Sequence, residues 1–407
     1  MAHGIGKFDT FVPLFVNTAA MELVFWMSLF IIGYTYAGYG VVLYLLTRLK
    51  KKKSSPVYDM ADLPSCTLIV AAYNEELVIA EKIRNTLALQ YPEGKLTCCF
   101  VTDGSTDSTP AIVSKFPGIK LMHTDARGGK ISAVHRAMQE VTTDIVVFTD
   151  ANTWLNPTAL IEICGHYADP AVGAVAGEKR VHADAKADAS AAGEGFYWKY
   201  ESALKRWDSE LHTVVGSAGE LFSIRRGLYE PVPPDTVLDD FMISMRIAER
   251  GYRVVYEPAA FATEMASENV EEELKRKVRI AAGGIQSILR LKRAANPFAD
   301  PLLAFQYISH RVLRWTVTPL LLVVVFVINA ILYARGAGPV YTLLFFGQVA
   351  FYLCSLVGLL LERKALRVKV LFVPYYFCVM NYAVIAGIGR YFGKGQSAVW
   401  ERSSRKQ

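Results

Sequence analysis

The sequence predicts an α/β protein built on a Rossmann-type, mostly parallel sheet and flanked on both sides by transmembrane helices. Three observations predict it. Between residues 64 and 150, short apolar, β-branched runs alternate with helical patterns, the spacing of a parallel sheet. One run, Val146–Asp150, reads as a buried strand that ends in an Asp150-Ala151-Asn152 triplet, and open α/β sheets bind ligands at the carboxyl ends of their strands. Four further stretches are apolar over the length needed to cross about 30 Å of hydrocarbon.

These four stretches are Leu23–Leu46, Trp315–Tyr333, Val340–Leu361 and Val370–Gly389. They explain why 52% of the 407 residues are hydrophobic and why mean hydropathy is +0.24, too apolar for an ordinary soluble enzyme. The first is too long for a signal peptide and has no small-residue cleavage site, so it reads as an anchor. The basic run Arg48-Leu49-Lys50-Lys51-Lys52-Lys53 follows it and assigns the chain beyond to the cytoplasm. The expected organisation is an N-terminal membrane anchor (1–53), a cytosolic domain (54–298) and an interfacial segment with C-terminal membrane helices (299–407). The net charge of +6 implies membrane lipid and no nucleic acid, because much of it is juxtamembrane. Six cysteines without a C-x-x-C pair argue against a disulfide framework or a zinc site.

In chain order, Thr67–Ala72 reads as a strand and residues 76–90 as a helix that stops before Pro92. Leu96–Val101 is a second strand, closed by Asp103-Gly104-Ser105-Thr106-Asp107, with a helix from Ser108. Ile119–His123 is a third. Arg127-Gly128-Gly129-Lys130 opens a helix to about Gln139, a place where amides and a cation hold a diphosphate. Gly173–Arg180 is a further strand, 182–195 reads as a mobile loop, and 196–211 as an amphipathic helix whose Trp198, Tyr200 and Trp207 suit core packing. A short strand precedes Arg225-Arg226, and Leu238-Asp239-Asp240 opens a helix to Gly251. Residues 271–293 form a charged helix centred on Arg276-Lys277-Val278-Arg279-Ile280, and 301–314 an interfacial segment.

Three strand ends thus carry acidic or amide side chains: Asn74-Glu75, Asp103 with Asp107, and Asp150 with Asn152. Two oxygen donors two residues apart in extended chain point to one side and can share a hard cation bearing a diphosphate. The plain alternative for each is a helix cap or, for Asp239-Asp240, a favourable helix dipole.

These stretches, in this order, resemble the membrane-anchored family 2 glycosyltransferases, the group of cellulose, hyaluronan and poly-N-acetylglucosamine synthases and their non-processive relatives. The likeness covers about residues 64–290 and the flanking spans. It implies a GT-A-like fold in which Ala72, Tyr73, Asn74 and Glu75, with the Asp103–Asp107 loop, hold the base and ribose of a nucleotide sugar. It implies that Lys130 touches the diphosphate, that Asp150 and Asn152 bind Mg²⁺ or Mn²⁺, and that Asp240 is the general base. Arg276 and Arg279 fall in the segment that clamps the diphosphate. Three departures stand out: Asn152 replaces a second carboxylate, the base follows Leu238-Asp239, and Ile280 stands where the family has a stacking tryptophan. The last weakens a processive reading. The implied activity is inverting transfer from a nucleotide diphosphate sugar, a UDP-sugar, to a glycan or lipid-linked acceptor at the cytoplasmic face of the cell membrane, in polysaccharide synthesis. The alternatives are single-sugar transfer to a polyprenyl-phosphate-linked or lipid acceptor, and a non-catalytic membrane scaffold. Counting three spans after the domain places the C-terminus outside, while Arg402, Arg405 and Lys406 favour the cytosol. Val370–Gly389, with Pro374 inside it, either crosses or is re-entrant.

Overall fold

The computed structural model describes residues 17–50, 59–182, 188–265, 270–363 and 368–393. Lys51–Lys53, Arg402, Arg405 and Lys406, which bear on sidedness, lie outside the described residues. The first long apolar helix comprises α1 (Thr18–Gly33), a π turn (Tyr34–Gly38) and α2 (Tyr39–Leu49).

The sheet follows. Strands β1 (Cys66–Ala72), β2 (Leu96–Asp103), β3 (Ile119–Thr124) and β4 (Ile145–Asp150) run parallel in the spatial order β3-β2-β1-β4. The central strands β1 and β4 are buried on both faces: Ile69 packs with Val146 and Phe148 on one side, and Leu68 and Val70 with Val147 on the other. Such strands read as unbroken apolar runs, which is why the sequence exposes them. Register pairs Ala72 with Thr102 and Ala71 with Asp150, so the carboxyl ends of β1, β2 and β4 are level. Helices α3 (Ile79–Leu87), α4 (Thr109–Val113) and α5 (Lys130–Glu140) follow β1, β2 and β3.

Beyond β4 the sheet is mixed. It continues through β5 (Thr153–Leu155), β6 (Val172–His182), β7 (Phe222–Arg225) and β8 (Arg253–Met265) in the order β4-β7-β6-β8-β5. Strand β7 is antiparallel to both β4 and β6, and Phe148 stacks on Phe222 at 4.7 Å across the first pair. Strand β8 hides in the sequence because Pro258 interrupts it. The register slips there, so the proline sits in a bulge where it removes no ladder bond.

The remaining helices are α6 (Ala159–Gly165), α7 (Asp188–Leu211), α8 (Asp239–Glu249), α9 (Val270–Arg290), α10 (Pro301–Tyr307), α11 (Leu313–Trp315), α12 (Val317–Ala334), α13 (Pro339–Arg363) and α14 (Lys369–Phe392). Two expectations are corrected. The predicted 182–195 loop is helical from Asp188 onward: alanines at 189, 191 and 192 favour helix over the linker that the polar composition suggested, while 183–187 lie outside the description. The 301–314 segment is no surface helix either. Gln306, Tyr307, His310 and Arg314 are buried.

Four helices, 18–49, 317–334, 339–362 and 370–392, are long and apolar enough to cross a membrane. Helix α1 packs on α12 through Met21, Phe25, Val325 and Leu332, but α2 turns its Tyr39 and Leu43 onto Leu204 and Leu211 of α7. The lower part of the first helix therefore belongs to the α/β domain.

Candidate functional site

At the end of β2, one Asp103 oxygen accepts the amide N–H groups of Gly128 (2.9 Å) and Gly129 (2.6 Å). Gly129 has φ 88°, a region a side chain avoids, so the turn and the carboxylate select each other. The result places Lys130 at the first turn of α5. The second Asp103 oxygen is 3.5 Å from Arg136 and accepts no hydrogen bond, although it is buried. Ala72, Tyr73, Asp103 and Lys130 wall a small pocket, over which the Arg127 guanidinium lies 3.7 Å from the Tyr73 ring centroid.

Asn74 and Glu75 do not line that pocket. Asn74 has φ 52°, and its side-chain oxygen accepts the Thr106 N–H at 2.8 Å, while the Glu75 N–H donates to Thr109 at 2.8 Å. They lace the loop after β1 to the loop after β2.

The main cavity, about 670 Å³, opens beside it. Lys130, Asp150, Asp240, Arg276 and Arg279 all line it, so five predicted residues from β4, α5, α8 and α9 meet. Lys130 Nζ is 2.8 Å from Asp150 Oδ1, and a Cβ on Gly219 would lie 3.2 Å from that nitrogen and 3.6 Å from Asp240 Oδ2. Gly219 is the gap that lets the lysine and the second carboxylate face one space. Burial works against the lysine's charge, but Asp150, Asp239 and Asp240 hold its pKa well above the ordinary range. Burial and the neighbouring Asp239 charge push the Asp240 carboxyl up to about 7, against the pull of Lys130.

Asn152 does not line this cavity. The chain turns at Ala151–Asn152 instead of continuing extended, so the expected same-side geometry does not apply. Its side-chain oxygen is buried and has no hydrogen-bond partner. Among the described residues no group of three or more His, Cys, Asp or Glu could hold a metal. Asp150 by itself nonetheless fits an ion that arrives on a diphosphate, since Mg²⁺ sites commonly use one or two protein ligands plus substrate phosphates.

Arg276 is engaged: two nitrogens donate to Glu273 at 3.0 Å, and Glu264 lies 3.8 Å away. Lys179 bridges Glu264 to Glu220. Glu220 lines the cavity, and Lys179 holds its carboxyl down to about 2 although burial opposes this.

Three cavity features escaped the sequence reading. Trp315 packs on Phe241 at 5.3 Å and against α9, where a Cβ on Gly284 would come within 2.4 Å of its ring. In sequence it is only the first residue of an apolar span; Gly283-Gly284 inside a helix is the signal of a close neighbour. Arg311 is positioned by a buried network: Glu201 accepts from Arg311 at 3.1 Å and Arg314 at 2.8 Å, and His310 bridges Glu201 (3.2 Å) and Asp208 (2.6 Å). Despite burial, His310 and the two arginines hold Glu201 well below the carboxylate range. Arg390 of α14 also lines the cavity, and no local pattern marks it.

A mixed sheet with a phosphate-type turn, an acidic strand end and a buried aspartate pair defines a GT-A-type glycosyltransferase architecture. The solved structure of a mannosyltransferase from Pyrobaculum calidifontis in complex with GDP-Man and Mn²⁺ has the same fold: TM-score 0.71, 23% identity, covering 92% of this chain and all of that one. Residues 67–232 match the family described as Glycosyl transferase family 2, and the chain carries a family 2 glycosyltransferase domain. It is 27% identical over 247 residues to the poly-beta-1,6-N-acetyl-D-glucosamine synthase of Staphylococcus aureus (strain COL), covering 58% of each chain. It is 29% identical over 251 residues to the beta-monoglucosyldiacylglycerol synthase of Trichormus variabilis, covering 57% of this chain and 51% of that one. The chain thus spans between half and two thirds of the length of these curated relatives.

Proposed function

We propose that the protein transfers a sugar, with inversion, from a nucleoside diphosphate sugar to a hydroxyl of a membrane-associated acceptor at the cytoplasmic face. The observation that carries this is the convergence of Lys130, Asp150, Asp240 and Arg279 on one cavity. The base lies beside Tyr73, at the Arg127 guanidinium that covers its ring. Lys130 and Arg279 face the diphosphate and stabilise the charge that grows on it as the sugar leaves. A divalent ion, Mg²⁺ or Mn²⁺, held by Asp150, would neutralise the same oxygens. Asp240 takes the proton of the attacking hydroxyl; a carboxyl that titrates near 7 is matched to that task at neutral pH. Phe241 and Trp315 enclose the acceptor side.

The acceptor is lipid-linked on this reading and receives one sugar, because the far wall of the cavity is made by Met380, Ala383 and Val384 of an apolar helix. The basic residues Arg48 and Lys50 at the end of α2 support a cytoplasmic catalytic domain. UDP-sugars are the first donors to assay, and GDP-sugars the second. Asp240→Asn removes the base and should lower transfer about 10²–10⁴-fold while UDP binding stays within twofold. Wild-type turnover in that variant would refute the assignment, and a ladder of polymer products would refute single addition.

A further inference from the structure

The cations of the main cavity are not alike. Lys130 and Arg276 meet carboxylates, whereas Arg279 on α9 and Arg390 in the last turn of α14 make no hydrogen bond or ion pair among the described residues. Both are half-buried. Burial, with Arg276 and Arg390 nearby, lowers the Arg279 pKa although Asp239 and Asp150 act against this. Two guanidiniums that face one space with no carboxylate in direct contact are an unfilled anion site, since buried charge is costly until it is paired.

Their position relative to the bilayer narrows the anion. Helix α11 ends at the cavity, α12 leaves it and α13 returns, so α14 begins on the cavity side. Crossing would carry its last turn about 30 Å from its first, to the opposite face. Instead α14 lies along α9. Tyr376 accepts a hydrogen bond from Lys277 at 3.2 Å, and a Cβ on Gly387 would come within 2.6 Å of Ala281. Arg390 then reaches the cavity that holds Asp150 and Asp240. Along this face Met380, Ala383 and Val384 are apolar and Arg390 is cationic, the polarity of an amphiphile with an anionic head.

We propose that Arg279 and Arg390 form the site for the phosphate of a lipid acceptor, and that α14 lies against the cytosolic face of the membrane without crossing it. This rests on the transferase reading above. The lipid chains lie beside Met380 and Ala383, the phosphate between the two guanidiniums, and a hydroxyl of the headgroup reaches Asp240. In the reaction the hydroxyl oxygen bonds to the anomeric carbon and the bond from that carbon to the diphosphate oxygen breaks. The nucleoside diphosphate leaves with the electron pair and the proton passes to Asp240. A lipid without a phosphate leaves Arg390 unmatched, while Arg279 keeps the donor diphosphate that it shares with Lys130.

The test uses the full-length protein in phosphatidylcholine nanodiscs, titrated calorimetrically with dihexanoyl phosphatidylglycerol, dihexanoylglycerol and UDP, with empty discs as reference. Phosphatidylglycerol should bind more tightly than the uncharged diglyceride. Arg390→Gln should weaken it about tenfold, and Arg390→Lys should recover only part, because an ammonium lacks the fork that grips a phosphate. Lys292→Gln, an exposed charge outside the cavity, should change it less than twofold, and UDP should bind Arg390→Gln normally. Equal losses in the two glutamine variants, an equal loss for UDP, equal binding of the two lipids, or no effect of Arg390→Gln overturns the site. Failure of both UDP and GDP to bind the wild type in the presence of Mn²⁺ would instead overturn the transferase reading and leave the phosphate result standing. A cysteine added after Gln407 should react with an impermeant maleimide only in inside-out vesicles, over the wild-type background; reaction in right-side-out vesicles overturns the placement of α14.

Discussion

The two halves of the site are built in opposite ways. On the strand side, the loops after β1 and β2 are laced by Asn74 and Thr109, Asp103 pins the glycine turn, and Lys130 already meets Asp150. On the helix side, α9, α11 and α14 present an aromatic ring, an apolar wall and two arginines that make no hydrogen bond or ion pair among the described residues. A nucleotide has a fixed shape, so a scaffold of backbone hydrogen bonds can be set to it in advance. On the transferase reading proposed above, an amphiphilic acceptor slides in from the membrane, and the surface that receives it needs only graded polarity.

The contrast can be broken at its strand side first. Asp150→Ala should abolish the part of UDP binding that depends on Mn²⁺, more than tenfold by calorimetry with and without the ion, if the ion sits at this carboxylate. Unchanged Mn²⁺ dependence would separate the ion from β4. Asp103→Ala is next. It leaves the Gly128 and Gly129 amides without their acceptor, at a cost of about 1–3 kcal/mol. Thermal unfolding should move down and nucleotide affinity should fall with it; loss of affinity without loss of stability would mean that Asp103 contacts only the base.

The smallest effect sharpens the boundary between the halves, where Asp239 and Asp240 start α8. Asp240 must be ionised to act as base, so transfer should fall as pH drops below about 7. The Asp239 charge raises that value. Asp239→Asn removes the repulsion, so Asp240 ionises more readily and the acid limb should move to lower pH, by about one unit or less. A limb that moves upward would show that Asp239 supports the anion instead of opposing it.

Legibility followed the same division. Strands β1, β2 and β4 and the residues at their ends could be read because each chemical side chain directly follows an apolar run in sequence. Asp240 was legible as the second of two acids at a helix start. Trp315 and Arg390 were not. Each belongs locally to an apolar helix, and only packing against Gly284 or along α9 turns it toward the cavity. Strand β8 was lost to Pro258, and the first turns of α7 to a composition that suits a linker.

By itself the sequence determined the parallel half of the sheet, the four apolar helices and the identity of the acidic and basic groups at the strand ends. Those follow from periodicity and from side chains adjacent along the chain. The tertiary structure alone decided that β7 runs antiparallel beside β4, that Asn152 turns away from Asp150's cavity, and that α14 lies along α9 with Arg390 beside Arg279. These depend on contacts between residues far apart in the chain, such as Phe148 with Phe222, or on how a turn packs, and no local pattern encodes either.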